Sequence, residues 1–77
     1  MFEQLRTIIT KYVEVKEEQI IPDARFVEDL GFTSFDFMSM LGELEDEFDI
    51  EVDEQEAAAI RTVGEAVSYL EKLINES

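Results

Sequence analysis

The stretch that decides the fold is VEDLGFTSFDFMSML, residues 27–41. Gly31 offers a left-handed turn just ahead of a helix. Thr33 has the short hydroxyl side chain that caps helix amides, and Asp36, three residues on, completes a variant capping box. An acid at that place also suits the helix macrodipole. Phe37, Met38, Leu41, Leu44 and Phe48 then recur at helical spacing, so the pattern predicts a second helix starting at Thr33 or Ser34. Glu43, Glu45, Asp46 and Glu47 lie mostly on its other faces. Gly42 interrupts it at a cost of about 1 kcal/mol against alanine. A close neighbour, an approaching partner or plain tolerance would each account for that glycine.

Working outward, residues 2–13 place Phe2, Leu5, Ile8, Ile9, Tyr12 and Val13 on one helical face, which predicts a first helix. Residues 15–33 have no clean helical period and hold the one proline, Pro22, so a long loop is expected there. Helix–helix links usually run about 2–8 residues, and longer ordered ones tend to be functional or to pack their own side chains. Ile20, Ile21, Phe26, Val27 and Leu30 are the expected anchors of this loop. Ile50 and Val52 alternate too briefly for a stable strand. Asp53, with Glu56 at the capping-box position, predicts a short third helix over residues 54–60. Thr62 and Glu65 form another such box, ahead of Val63, Ala66, Val67, Leu70, Leu73 and Ile74 on a fourth helix ending near Ile74. Amphipathic helices cannot bury their faces alone. The expected architecture is therefore all-α: a small four-helix bundle, three helices longer and the third short, with a long loop between the first two.

The chain has 77 residues, which allows one domain at most. Its net charge of −14 is unevenly placed: no Lys or Arg occurs within residues 26–60, which hold twelve of the twenty acids. Nucleic-acid binding needs the opposite sign, and an acidic membrane surface would repel the chain. Proteins with basic patches are the expected partners, drawn in by a field that salt weakens. Cysteine and histidine are absent, which removes disulfides, thiolate metal sites and the usual general base. No apolar run approaches the roughly 18 residues of a membrane span, and MFEQLRTII lacks the basic start and apolar block of a signal peptide. A cytoplasmic monomer is expected.

Ser34 has no histidine to activate it, and exposed carboxylates side by side on a helix are normally solvated, so a hydrolase reading has little support. The run DIEVDEQEAAAI matches the first odd positions of a calcium loop at Asp49, Glu51 and Asp53. It then fails where glycine and the final glutamate are needed, at Glu54 and Ile60. Weak divalent binding by clustered acids stays open. A serine at a helix N-terminus is exposed, and the free amides there favour a phosphate on it. The residues alone leave two readings of Ser34: an ordinary helix-start serine, or one that is modified.

The pattern FVEDLGFTSFDF followed by LEDEFDIEV resembles the acyl carrier protein family. Asp29, Leu30 and Gly31 fit that family's lead-in, and Ser34 falls on its modified serine. Asp36, Leu44, Glu45, Glu47, Phe48, Ile50 and Val52 follow at the family's spacing, and TVGEAVSYL looks like its last helix. The resemblance implies a carrier that is not itself an enzyme. It implies a 4′-phosphopantetheine arm placed on Ser34 from coenzyme A by a phosphopantetheinyl transferase, with acyl groups held as thioesters on the arm's thiol. It also implies partners that load, condense and release acyl chains in fatty-acid, polyketide or related biosynthesis. Their basic patches would dock on Asp36, Glu43, Asp46, Glu47, Glu51 and Asp53. Met38, Met40 and Leu41 would help line a cleft for the acyl chain, or else be ordinary core.

The sequence departs from the family's pattern at four places. Thr33 replaces the usual acid before the serine, and Phe35 the usual leucine after it. Ser39 and Gly42 stand where fatty-acid members often carry an acid and a methionine. This suggests a carrier dedicated to a pathway other than the main fatty-acid synthase. The rival reading is an acidic helical interaction module with no prosthetic group, which would not need the Ser34 hydroxyl.

Overall fold

The computed structural model describes residues 1–76. Four helices form: α1 (Phe2–Ile9), α2 (Ser34–Phe48), α3 (Glu54–Ala57) and α4 (Val63–Glu76). A 3₁₀ turn at Glu17–Gln19 interrupts the long connection between α1 and α2. Among the described residues there is no strand, only an isolated antiparallel bridge between Arg25 and Thr62. The all-α bundle expected from the helical periods is what forms.

α1 is shorter than its apolar pattern, which runs to Val13. Its last turns hold Thr7, Ile8, Ile9 and Thr10, β-branched residues that lower helix propensity. Thr10 Oγ1 also donates back to the Thr7 carbonyl at 2.6 Å. The chain then tightens into turns, with the Lys11 amide on the Ile8 carbonyl and the Tyr12 amide on the Ile9 carbonyl, both at 3.0 Å. Tyr12 and Val13 still pack against the core, from a turn.

α2 is capped as the sequence predicts. The Asp36 amide donates to Thr33 Oγ1 at 3.1 Å, and the Thr33 amide to Asp36 Oδ2 at 3.2 Å. Gly31, at φ 78°, supplies the turn before it. The helix closes on Asp49 in the left-handed region, φ 53°, a conformation aspartate tolerates better than most residues. α3 stops at Ala57, not at Ile60, and the chain leaves it through tight turns at Ala59 and Ile60. Asp53 caps α3, its Oδ1 accepting from the Gln55 and Glu56 amides. The expected reciprocal bond from Glu56 does not form: the Asp53 amide donates to the Tyr69 hydroxyl, which itself donates to Glu56. The Thr62–Glu65 box is complete. α4 continues through Glu76, past the expected end near Ile74.

The long loop is stitched to the approach of α4. Phe26 donates to the Arg61 carbonyl at 2.9 Å, Val63 to Ala24 at 3.0 Å and Gly64 to Pro22 at 2.9 Å. A Cβ on Gly64 would come within 3.1 Å of the Pro22 carbonyl oxygen, so this approach favours glycine. Of the expected anchors, Ile20, Phe26 and Leu30 are buried. Ile21 and Val27 are exposed, at 50% and 61%, and Ala24 and Phe32 take the inner places. The turn at residues 25–30 explains this: Phe26 and Leu30 are four apart and share a face, and Val27 falls off it. Phe26 packs edge-on against both Phe32 and Phe37, with ring centroids 5.2 Å apart in each pair.

Candidate functional site

The helix cap of α2 sets the geometry of the site. Ser34 is the first residue of the helix and is exposed. Its hydroxyl makes no hydrogen bond among the described residues, and the first two helix amides, Ser34 and Phe35, meet no acceptor there. Free amides at the positive end of a fifteen-residue helix suit an anion.

Beside Ser34 lies a cavity of about 290 Å³ between α2, α3 and the end of the long loop. Phe26, Phe37, Leu41, Ala57 and Ile60 form its apolar walls. Its exposed rim carries Thr33, Ser34, Val27 and Met38, with Glu28, Glu54 and Arg61 as the charged groups. Met38 and Leu41 thus line the cleft as expected. Met40 does not: it is fully buried in the core, on another face of the helix.

The acids expected to meet partners divide into two groups. Three are engaged within the chain. Asp36 closes the α2 cap and Asp53 caps α3. Glu43 accepts from Lys11 Nζ and from the Tyr12 hydroxyl, each at 2.7 Å. The hydrogen bond from Lys11, then that from Tyr12, holds the Glu43 carboxyl below its ordinary range. The same hydrogen bonds to Glu43 raise the Lys11 ammonium and the Tyr12 hydroxyl above theirs. Glu45, half-buried, accepts from the Val52 amide at 3.0 Å and is also engaged. Asp46, Glu47 and Glu51 are exposed and make no ion pair or side-chain hydrogen bond among the described residues. Among those residues no cluster of three or more acids could hold a metal ion.

Sequence reasoning missed the Lys11–Glu43–Tyr12 tie. Periodicity identifies Tyr12 as a core-facing residue but cannot show where its hydroxyl goes across 31 positions. A tyrosine on an apolar face needs a partner for its hydroxyl, and that was the available signal.

Comparison with known proteins agrees with this geometry. Residues 3–70 match the model of the phosphopantetheine attachment site family. A Mycobacterium tuberculosis structure assigned as an acyl carrier protein superposes with a TM-score of 0.83 at 30% identity, covering 92% of this chain and 95% of that one. The acyl carrier protein from Enterococcus faecalis superposes with a TM-score of 0.81, also at 30% identity, covering 94% of this chain and 91% of that one. The chain belongs to the acyl carrier protein family, whose covalently attached prosthetic group is 4′-phosphopantetheine and whose members carry without catalysing.

Proposed function

We propose that Ser34 is the attachment residue and that the chain presents thioester-bound acyl intermediates to enzymes of fatty-acid, polyketide or related biosynthesis. The observation that carries this reading is an exposed, unbonded serine hydroxyl on the rim of an apolar cavity. Ser34 Oγ attacks the phosphorus that joins pantetheine to the nucleotide in coenzyme A. The new Oγ–P bond forms as the P–O bond to adenosine 3′,5′-bisphosphate breaks. The hydroxyl proton passes to a base on the transferase, since no described residue of this chain bonds to that hydroxyl. The attached group supplies the thiol that this cysteine-free chain lacks. The amides of Ser34 and Phe35 favour the phosphodiester negative charge. Phe26, Phe37 and Leu41 offer an apolar shelter for an acyl chain, and Met38 adapts at its rim.

Docking to basic patches falls to Asp46, Glu47 and Glu51, whose charges are open. Asp36, Glu43 and Asp53 contribute to the field while also holding the fold. The chain works in the cytoplasm as a monomer, and a net charge of −14 supports the monomeric state by keeping copies apart. It serves a pathway other than the main fatty-acid synthase, a reading supported by Ser39 and Gly42 on α2. Efficient loading and elongation of the holo-protein by a generic fatty-acid system would exclude that assignment.

The decisive experiment is an intact mass before and after incubation with coenzyme A and a broad-specificity phosphopantetheinyl transferase. A gain of one phosphopantetheinyl group on the wild type and none on Ser34→Ala is expected. A gain on both proteins would move the site elsewhere.

A further inference from the structure

Arg25 and Thr62 face each other across the isolated bridge, and next to it the Phe26 amide donates to the Arg61 carbonyl. Successive residues of an extended pair point to opposite faces. Arg25 and Thr62 therefore share one face, and Phe26 and Arg61 share the other, which is the face of the cavity. The lining agrees: Phe26 and Arg61 belong to the cavity beside Ser34, and Thr62 to a separate groove with Pro22 and Gly64. The two arginines differ in what they meet. Arg25 is held by Asp29 at 3.0 Å and by Glu28 at 3.5 Å. Arg61 is exposed, and its guanidinium makes no ion pair or hydrogen bond among the described residues. Its neighbour Glu65 spends Oε1 on the amides of Arg61 and Thr62 instead. The fold uses only the backbone of Arg61, which any residue except proline would supply. Acids outnumber cations by twenty to six in this chain, so a guanidinium bonded to none of them calls for a reason.

Resting on the carrier reading, we infer that Arg61 is a specificity-determining residue of the cavity, selecting acyl groups whose far end is a carboxylate. The arm on Ser34 delivers the thioester end. The methylenes lie against Phe26, Phe37 and Leu41, and the far carboxylate meets Arg61 at the mouth. A guanidinium presents forked donors that match a carboxylate through two parallel bonds. A purely aliphatic chain leaves that fork unused. Electrostatics favours a tethered anion over a free one. The field of a −14 chain repels free anions, whereas a carboxylate on the arm is brought in covalently and at high effective concentration. Two carboxylates share the rim with Arg61. Glu28 is paired with Arg25, so Glu54 is the open charge that opposes such a cargo there.

The test uses the full chain, loaded by a broad-specificity transferase from adipyl coenzyme A or hexanoyl coenzyme A. These acyl groups are equal in length and differ in the far carboxylate. Wild type, Arg61→Gln and Arg61→Lys are compared. Cleavage of the thioester by hydroxylamine is read by intact mass, and folding by circular dichroism. Arg61→Gln should speed cleavage of the adipyl form by about three- to fivefold, the worth of an exposed ion pair, and leave the hexanoyl form unchanged. Arg61→Lys should keep part of the adipyl protection, and salt of about 1 M should remove it from the wild type. Both forms carry the same phosphodiester, so the difference between them reads the far carboxylate alone. Equal acceleration of both forms would put Arg61 on the phosphodiester of the arm, and no acceleration of either would leave it idle; each result overturns the selecting role. A folded wild type that accepts neither acyl group, nor the bare arm from coenzyme A, overturns the carrier reading itself, and the role of Arg61 falls with it.

Discussion

The long loop of residues 10–33 and the helix α2 build the same cavity, and the irregular one of the two is buried as deeply as the regular one. The loop sinks Ile20, Ala24, Phe26, Leu30 and Phe32 into the core, and α2 sinks Met40, Leu41 and Leu44. The helix satisfies its own backbone through its repeat. The loop has no repeat, so it borrows partners from the residues before α4 and then pays for order by burying aromatic surface. Secondary structure is therefore a poor guide to which segment holds the site together.

Breaking that comparison starts with Phe26. Its ring touches both Phe32 and Phe37 and forms one wall of the cavity. Phe26→Ala should cost about 3–5 kcal/mol. The matching helix substitution, Leu44→Ala, should cost about 2–5 kcal/mol. In a domain this small each kcal/mol moves the melting temperature by roughly 4–8 °C, so thermal melts by circular dichroism resolve the order. A loop variant clearly milder than the helix variant would return the loop to a passive role.

The next two substitutions sharpen the contrast at the ends of the two segments. Tyr12→Phe removes the hydroxyl that ties the start of the loop to Glu43 on α2, at an expected cost of about 1–2 kcal/mol, since the acceptor is charged but partly exposed. Thr33→Ala removes the α2 cap, at about 1 kcal/mol. Urea melts of the two variants side by side would show whether the tie across the molecule outweighs the local cap. Equal midpoints would mean that solvent already screens the Tyr12–Glu43 bond.

These contrasts also explain what the sequence discloses. α2 and its cap were legible because Thr33, Asp36 and the apolar repeat act within a few residues of one another. Ser34 stood out for the same reason, once the lead-in Asp29–Leu30–Gly31 and the acidic run were taken together. The loop was legible only in its existence. Nothing in residues 20–27 says that Ile20 turns inward and Ile21 outward, because that choice depends on hydrogen bonds to Arg61, Val63 and Gly64, almost forty positions away. The acids posed the same difficulty. Glu43 and Glu47 look alike in sequence, yet one is bound by Lys11 and Tyr12 and the other is open.

The smallest expected effect is a pH dependence that separates bound acids from open ones. Glu43, held by Lys11 and Tyr12, and Asp29, held by Arg25, both have carboxyls lowered below their ordinary range. A lowered carboxyl stabilises the fold fully above its ordinary value, and that contribution is lost as pH falls through the lowered value. Lys11 and Tyr12 are raised, so their share is present below their ordinary values and lost as pH rises through the raised ones. The net charge of −14 adds a background of self-repulsion. Salt near 1 M shortens the screening length to about 3 Å, which suppresses that background and leaves the short contacts. Under those conditions the melting temperature should hold across neutral pH and fall as pH drops below about 4, the ordinary carboxyl range. Glu43→Gln should start lower and fall less over the same interval, because the group that loses its proton-linked stability is gone. Parallel acid limbs for wild type and variant would mean that Glu43 carries none of the acid sensitivity, and the tie between loop and helix would then be worth little.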